Sequence, residues 1–108
     1  MSTPVKLMIV DDEAHLRTSL TFWFREEGYD VLSAGSGREA LATLAREAPQ
    51  ILLVDIKMPG MDGLEVLRKV RETSPETTVI IMTAYASVET AIQALKDGAY
   101  DYIVKPFD

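Results

Sequence analysis

Carboxylates directly follow two apolar segments of the chain. Asp11 and Asp12 come after KLMIV, which ends at Val10, and Asp55 comes after ILLV, which ends at Val54. Three carboxylates that met in one place would repel one another and resist ionisation unless a cation shared the space. Oxygen ligands without histidine or cysteine favour Mg²⁺, Ca²⁺ or Mn²⁺ over zinc, and a site with few carboxylates suits Mg²⁺ best. These residues therefore predict a Mg²⁺ site if the fold brings them together.

A hydroxyl group and an ammonium group follow two further apolar segments. Thr83 comes after VIIM, which ends at Met82, and Lys105 comes after YIV, which ends at Val104. A bound cation does not require these two groups, but an anion would use both. A phosphoryl group bridged by Mg²⁺ is an anion that fits an acidic site. Asp55 is then best placed to act as the carboxylate nucleophile that accepts it.

The elements that must position these groups alternate between strand and helix. The four apolar segments have the length of buried strands, and YDVLSA, which begins at Tyr29, indicates a weaker edge strand. Stretches with helical spacing of apolar residues separate them. Three of these stretches have a candidate N-cap: Ser36, Asp62 and Ser87. The pattern predicts an α/β fold with a doubly wound parallel sheet and helices on both faces, in which ligands bind outside the carboxyl ends of the strands.

Composition excludes several classes of protein. The chain has 108 residues, enough for one domain, and its 11 basic and 17 acidic residues give a net charge of −6, which argues against direct contact with nucleic acid. It has no cysteine, hence no disulfide or thiolate site. No apolar stretch approaches the ~18 residues of a membrane span. We expect a cytoplasmic domain that makes no membrane contact.

Four motifs together resemble a known family. VDD at 10–12, LLVDIKMPGMDG at 52–63, IIMTA at 80–84 and DYIVKPF at 101–107 are similar, in order and spacing, to the receiver domain of bacterial two-component response regulators. The resemblance covers 1–108 as one domain. The segment 82–108 is similar in particular to receivers of nitrogen-regulatory, enhancer-binding activators. The resemblance implies a flavodoxin-like sheet of five parallel strands in the order 2-1-3-4-5.

The resemblance also implies the metal site and the acceptor. Asp55 would be the phosphorylated residue. Asp11 and Asp12 would form the acidic pair that holds Mg²⁺, together with Asp55 and the backbone carbonyl of Lys57.

Further residues are implied to bind the phosphoryl group and to respond to it. Thr83 and Lys105 would contact the phosphoryl group, with Asp55, Thr83 and Lys105 as the catalytic set. Thr83 and Tyr102 would form the conformational switch, and the peptide bond between Lys105 and Pro106 would be cis. Lys57 and Tyr85 would tune the lifetime of the phosphorylated state through access of water.

The implied function is that of a signalling module that turns over no external metabolite. A sensor histidine kinase would supply the phosphoryl group, and an output or effector domain in a longer chain would read the response. The family continues after KPF with a fifth helix that this chain lacks. We therefore expect a fragment with apolar surface uncovered over the strands that end at Val10 and Val104. On its own, the fragment is expected either to self-associate, for example as a homodimer, or to be only marginally stable.

Two other functions use the same fold or chemistry. A flavodoxin-like module that binds a nucleotide or a flavin phosphate would need glycines and free backbone N–H groups in the first loop, where this chain has DDEAH. A Mg²⁺-dependent phosphatase would need a second aspartate two residues after the nucleophile, and that position is Lys57. Both alternatives are disfavoured.

Overall fold

The computed structural model describes residues 3–105. Its five strands are β1 (Lys6–Val10), β2 (Asp30–Ala34), β3 (Ile51–Asp55), β4 (Thr78–Thr83) and β5 (Asp101–Val104). Its four helices are α1 (Ala14–Glu26), α2 (Gly37–Glu47), α3 (Gly63–Thr73) and α4 (Val88–Lys96). The predicted alternation of strand and helix is confirmed. The Lys105–Pro106 peptide bond and the end of the last motif lie outside the described residues.

The strands form one parallel sheet in the order β2-β1-β3-β4-β5. This confirms the predicted order and places the weak strand β2 at one edge. β5 forms the other edge. The register pairs Val10 with Val54 and Asp55 with Met82, so the carboxyl ends of the central strands lie level with one another.

Helix ends follow the predicted signals. The side chains of Ser36, Asp62 and Ser87 each accept a hydrogen bond from the backbone N–H three residues later, which stabilises an otherwise unpaired donor in the first turn. Gly28 and Gly98 follow α1 and α4 with φ near +98° and +100°, a left-handed conformation that favours glycine. No helix within the described range is long and apolar enough to cross a membrane.

Each face of the sheet has its own apolar core. Met8 and Val10 of β1 pack with α2, α3 and α4, whereas Leu7 and Ile9 pack with α1. Alternate residues of a buried strand point to opposite faces, which is why the strand reads as a continuous apolar run. The doubly wound arrangement is therefore confirmed.

The expected uncovered surface over β1 is wrong. Leu7 and Ile9 are buried, because α1 packs Leu20 and the partly buried Phe24 against that face of the sheet. On β5, Val104 is 51% exposed, but it lies on the same face as Tyr102, toward α4 and away from α1, so its exposure does not test this expectation.

Candidate phosphorylation and metal site

The acidic groups meet at the carboxyl edge of the sheet. One oxygen from each of Asp11, Asp12 and Asp55 lies within 4.8 Å of the other two. Asp11 and Asp55 are buried, and Asp12 is exposed. The predicted convergence of the three carboxylates is confirmed, because β1 and β3 are parallel neighbours in register.

Lys105 lies against the same carboxylates. Its ammonium group donates a hydrogen bond to Asp11 Oδ2 at 2.7 Å and lies 3.5 Å from Asp55 Oδ1. Burial lowers the pKa of Lys105, but the hydrogen bond to Asp11 and the charge of Asp55 outweigh it, so the pKa is raised overall. The lysine is therefore held charged and compensates part of the acidic cluster.

Asp55 is placed where its negative charge is costly. Burial raises its pKa above the usual value for aspartic acid, and the neighbouring charge of Asp11 raises it further, while Lys105 opposes both effects. The carboxyl group thus has one compensating cation and two acidic neighbours. An additional cation at this edge would relieve the remaining repulsion.

The start of α3 fixes the backbone of Asp55. The N–H of Gly63 donates to the carbonyl of Ile56 at 2.9 Å, and a Cβ at position 63 would lie 2.8 Å from Ile56 Cα and overlap the Asp55 carbonyl. Only glycine allows the helix to approach the strand end this closely. The loop between them carries Lys57, which is exposed and two residues beyond Asp55.

Thr83 ends β4 beside Asp55 and is fully buried. Its Oγ1 accepts a hydrogen bond from the backbone N–H of Tyr85 at 3.0 Å, which leaves the hydroxyl proton free to donate to another acceptor. The ring of Tyr85 lies under the ammonium group of Lys57, 5.7 Å from its centroid. Lys57 follows β3 and Tyr85 follows β4, so this contact joins the two loops that leave the strands of Asp55 and Thr83.

Tyr102 forms a hydrogen bond with a residue of α4. Its hydroxyl group lies 2.8 Å from Thr90 Oγ1, and the threonine hydroxyl lies in turn 2.9 Å from Ser87 Oγ. Tyr102 is half-buried in β5. The proposed switch residue is thus bonded to the first turn of the helix next to it.

Sequence reasoning missed two residues near the site. Thr90 is one of several threonines in the chain, and nothing in its spacing marks it as a partner of Tyr102. Arg17 donates a hydrogen bond to the backbone carbonyl of Asp11 at 2.7 Å. A basic residue on the first helix after an acidic pair was the available signal for Arg17.

The donors suit a hard divalent cation. Carboxylate oxygens are the preferred ligands of Mg²⁺ and Ca²⁺, and the exposed Asp12 leaves one side open to water or to a further oxygen ligand. The residues present therefore fit a divalent metal. The backbone carbonyl of Lys57 stays a prediction as a further ligand.

Comparison with protein families identifies the family of this chain. Residues 7–108 match the response regulator receiver domain. The chain belongs to this family. Receiver domains of known proteins match it along nearly its whole length, as the following relatives show.

Two curated relatives are regulatory proteins. The receiver is 47% identical over 103 residues to the regulatory protein AtoC of Escherichia coli, covering 95% of this chain and 22% of AtoC. It is 42% identical over 100 residues to the DNA-binding transcriptional regulator NtrC of Salmonella typhimurium, covering 93% of this chain and 21% of NtrC. The predicted resemblance to nitrogen-regulatory activators is confirmed. The chain spans about a fifth of the length of these relatives.

One similar solved structure is a complex with ligands. The CheX–CheY–BeF₃–Mg²⁺ complex from Borrelia burgdorferi is 32% identical to this chain with a TM-score of 0.93, covering 97% of this chain and 81% of that one. A TM-score this high means that the two chains share one fold over almost the whole of the receiver.

Proposed function

We propose that this receiver takes a phosphoryl group onto Asp55 from the phosphohistidine of a sensor kinase, in a reaction that requires Mg²⁺. The observation that carries the proposal is the cluster of Asp11, Asp12 and Asp55 within 4.8 Å, with Lys105 charged against it. The solved Borrelia complex contains Mg²⁺ and BeF₃, a fluoride that stands in for a phosphoryl group. Both ligands are what the acidic cluster and its lysine would bind.

The transfer is a substitution at phosphorus. A carboxylate oxygen of Asp55 attacks the phosphorus atom, an O–P bond forms, and the N–P bond to the donor imidazole breaks with its electron pair returning to nitrogen. The product is an acyl phosphate on Asp55. Bound Mg²⁺ would supply positive charge for the phosphoryl oxygens and remove the repulsion between carboxylates.

The residues around Asp55 have separate tasks. Asp11 and Asp12 hold the cation, with the Lys57 carbonyl as a further ligand. Lys105, already 3.5 Å from Asp55, binds one phosphoryl oxygen. The Thr83 hydroxyl donates a hydrogen bond to another. Lys57 and Tyr85 border the entrance through which water reaches the acyl phosphate.

The response begins when Thr83 turns toward the phosphoryl group. Tyr102 then leaves Thr90 and turns inward, which changes the face formed by α4 and β5 and shifts a pre-existing equilibrium between two conformations. An output domain in a longer chain reads that face. Self-association through it, as a homodimer, is a further proposal, since Val88, Ile92 and Val104 are exposed apolar residues there.

Intact mass measurement after incubation with acetyl phosphate and Mg²⁺ tests the acceptor. We expect a gain of one phosphoryl group, with acetate as the leaving group, and its loss in Asp55→Asn. Asp30→Asn, an exposed aspartate at the far end of β2, is the matched control and should label normally. Labelling that persists in Asp55→Asn would show that another residue is the acceptor.

A further inference from the structure

Four hydrogen bonds hold Asp11 in place. Its backbone N–H donates to the carbonyl of Ala34 at 3.1 Å, its Oδ1 accepts from the N–H of Glu13 at 2.9 Å, and its Oδ2 accepts from Lys105. The fourth bond comes from Arg17 Nη1, which donates to the backbone carbonyl of Asp11 at 2.7 Å. The first three bonds fix the strand end and the carboxylate. The Arg17 bond fixes the peptide group that leads to the next residue.

That next residue, Asp12, has no side-chain support of its own. Within residues 3–105 no hydrogen bond or ion pair is made by its carboxylate, which is exposed. Its direction therefore depends on the backbone that carries it. The carbonyl oxygen of Asp11 belongs to the planar peptide group between Asp11 and Asp12. A donor that holds this oxygen therefore fixes the orientation of that peptide plane, and with it the position of the Asp12 Cα.

The structure makes room for Arg17 at a second point. A Cβ built on Gly35, in the loop between β2 and α2, would lie 3.1 Å from Nη1 of Arg17, 3.4 Å from Cζ and 3.7 Å from Nη2. Gly35 is outside the left-handed region in which φ favours glycine. Space for the guanidinium group is thus what glycine provides here. Arg17 joins α1, the end of β1 and this loop.

The charge of Arg17 is placed so that it does not compete with a metal. Lys105 binds a carboxylate oxygen of Asp11 directly, and a cation that used this oxygen would have to displace it. Arg17 binds only the peptide oxygen, so its positive charge lies near the acidic cluster while the carboxylates stay available.

We propose that Arg17 is a positioning residue for the divalent cation: by holding the peptide between Asp11 and Asp12 it directs the Asp12 carboxylate toward Asp11 and Asp55. This inference rests on the proposed function, since it assumes that the three carboxylates bind Mg²⁺. Lysine cannot replace the arginine fully, because a single ammonium group could reach the carbonyl but would not cover Gly35. Substitution of a residue that orients metal ligands typically lowers the affinity for the metal by about 10- to 100-fold.

The test compares thermal unfolding in EDTA and in saturating Mg²⁺, together with Mg²⁺ titration by calorimetry. A ligand that binds only the folded state raises the melting temperature according to its affinity. We expect Arg17→Ala to weaken Mg²⁺ binding about tenfold and Arg17→Lys and Gly35→Ala to weaken it a few-fold. Arg25→Ala, which removes the same charge from the exposed side of α1, should bind Mg²⁺ normally.

The two melting curves separate positioning from stability. A purely structural role for Arg17 would lower the melting temperature in EDTA and leave the increase caused by Mg²⁺ unchanged, and that result would overturn the inference. If Arg17→Ala does not fold, unchanged Mg²⁺ affinity in both Arg17→Lys and Gly35→Ala would overturn it equally. A wild-type protein that binds no Mg²⁺ would overturn the proposed metal site as well, whereas a normal wild type with unaffected variants would remove only the role of Arg17.

Discussion

The hydroxyl groups of Tyr102 and Thr90 lie 2.8 Å apart, so the half-buried tyrosine of β5 is bonded to the first turn of α4. If phosphorylation turns Tyr102 inward, this hydrogen bond must break first. The bond therefore stabilises the conformation present before phosphorylation. A single hydrogen bond of this kind contributes about 0.5–1.5 kcal/mol.

Thr90→Val should weaken that restraint. Valine keeps the shape of the side chain and removes the hydroxyl, so we expect the equilibrium of Tyr102 to shift by about 1 kcal/mol toward the inward orientation without phosphorylation. NMR shifts of the Tyr102 ring and of the α4 amides would measure it. Thr73→Val is the control, because that hydroxyl bonds only to the Lys69 carbonyl in its own helix. Equal spectra for Thr90→Val and wild type at α4 would contradict a restraining role.

Chelation of Mg²⁺ should stop phosphorylation. Without a divalent cation, Asp11, Asp12 and Asp55 repel the incoming phosphoryl dianion as well as one another. We expect no labelling by acetyl phosphate in EDTA and strongly reduced labelling in Asp12→Ala, with Glu13→Ala as the matched control on the next residue. Undiminished labelling of Asp12→Ala would remove this residue from the metal site.

Lys105→Ala should separate transfer from response. Asp55 and the acidic pair remain, so some phosphoryl transfer is expected, but the ammonium group proposed to link the phosphoryl group to the end of β5 is gone. Intact mass measures transfer, and the Tyr102 ring signals measure the response. A variant whose ring signals change on phosphorylation as in wild type would show that Lys105 is not needed for coupling.

In metal-free protein, the pKa of Asp55 should be raised by burial and by the charge of Asp11. Burial and then Asp11 raise its pKa, so the folded state takes up a proton at higher pH than the unfolded state does. The charged group thus destabilises the fold above its folded pKa, and this penalty disappears as the pH falls through the folded pKa toward the unfolded value. We expect Asp55→Asn to raise the melting temperature in EDTA at neutral pH and to lose this advantage in acid.

Lys105→Ala should raise the Asp55 pKa further, because the lysine is the group that lowers it. Carboxyl-carbon NMR, with Asp55→Asn for assignment, would give both titrations. A downward shift in Lys105→Ala would contradict the placement of the ammonium group.

Gly63→Ala should displace the backbone that carries the acceptor, Asp55. The added methyl group would press on the backbone of Asp55 and Ile56, and overpacking of this kind typically costs about 1–3 kcal/mol. We expect a lower melting temperature and slower labelling of Asp55. Asp62→Ala is the matched comparison: loss of the N-cap costs about 1 kcal/mol but adds no atoms near Asp55, so its labelling rate should change less. Equal labelling rates in the two variants would show that the close approach does not position the acceptor.

The sequence predicts the site well where the site follows from parallel strands. Asp11, Asp55 and Lys105 each come at a strand end, and strand ends in a parallel sheet lie at one edge whatever the side-chain details. The rotation of a helix about its own axis cannot be predicted from the sequence in the same way. The bond from Arg17 to Asp11, the bond from Thr90 to Tyr102 and the full burial of Ile9 under α1 all depend on that rotation, and these are the features that the sequence did not predict.

The ion pair between Asp11 and Lys105 joins residues 94 positions apart, near the two ends of the described chain. A ribosome releases the acidic residues of β1 and β3 well before the lysine that compensates them. A nascent chain stalled before position 105 therefore carries the three carboxylates without the lysine that compensates them. Dissolved Mg²⁺ is then the available counterion, so we expect the cation proposed to serve phosphorylation also to favour assembly of the incomplete domain.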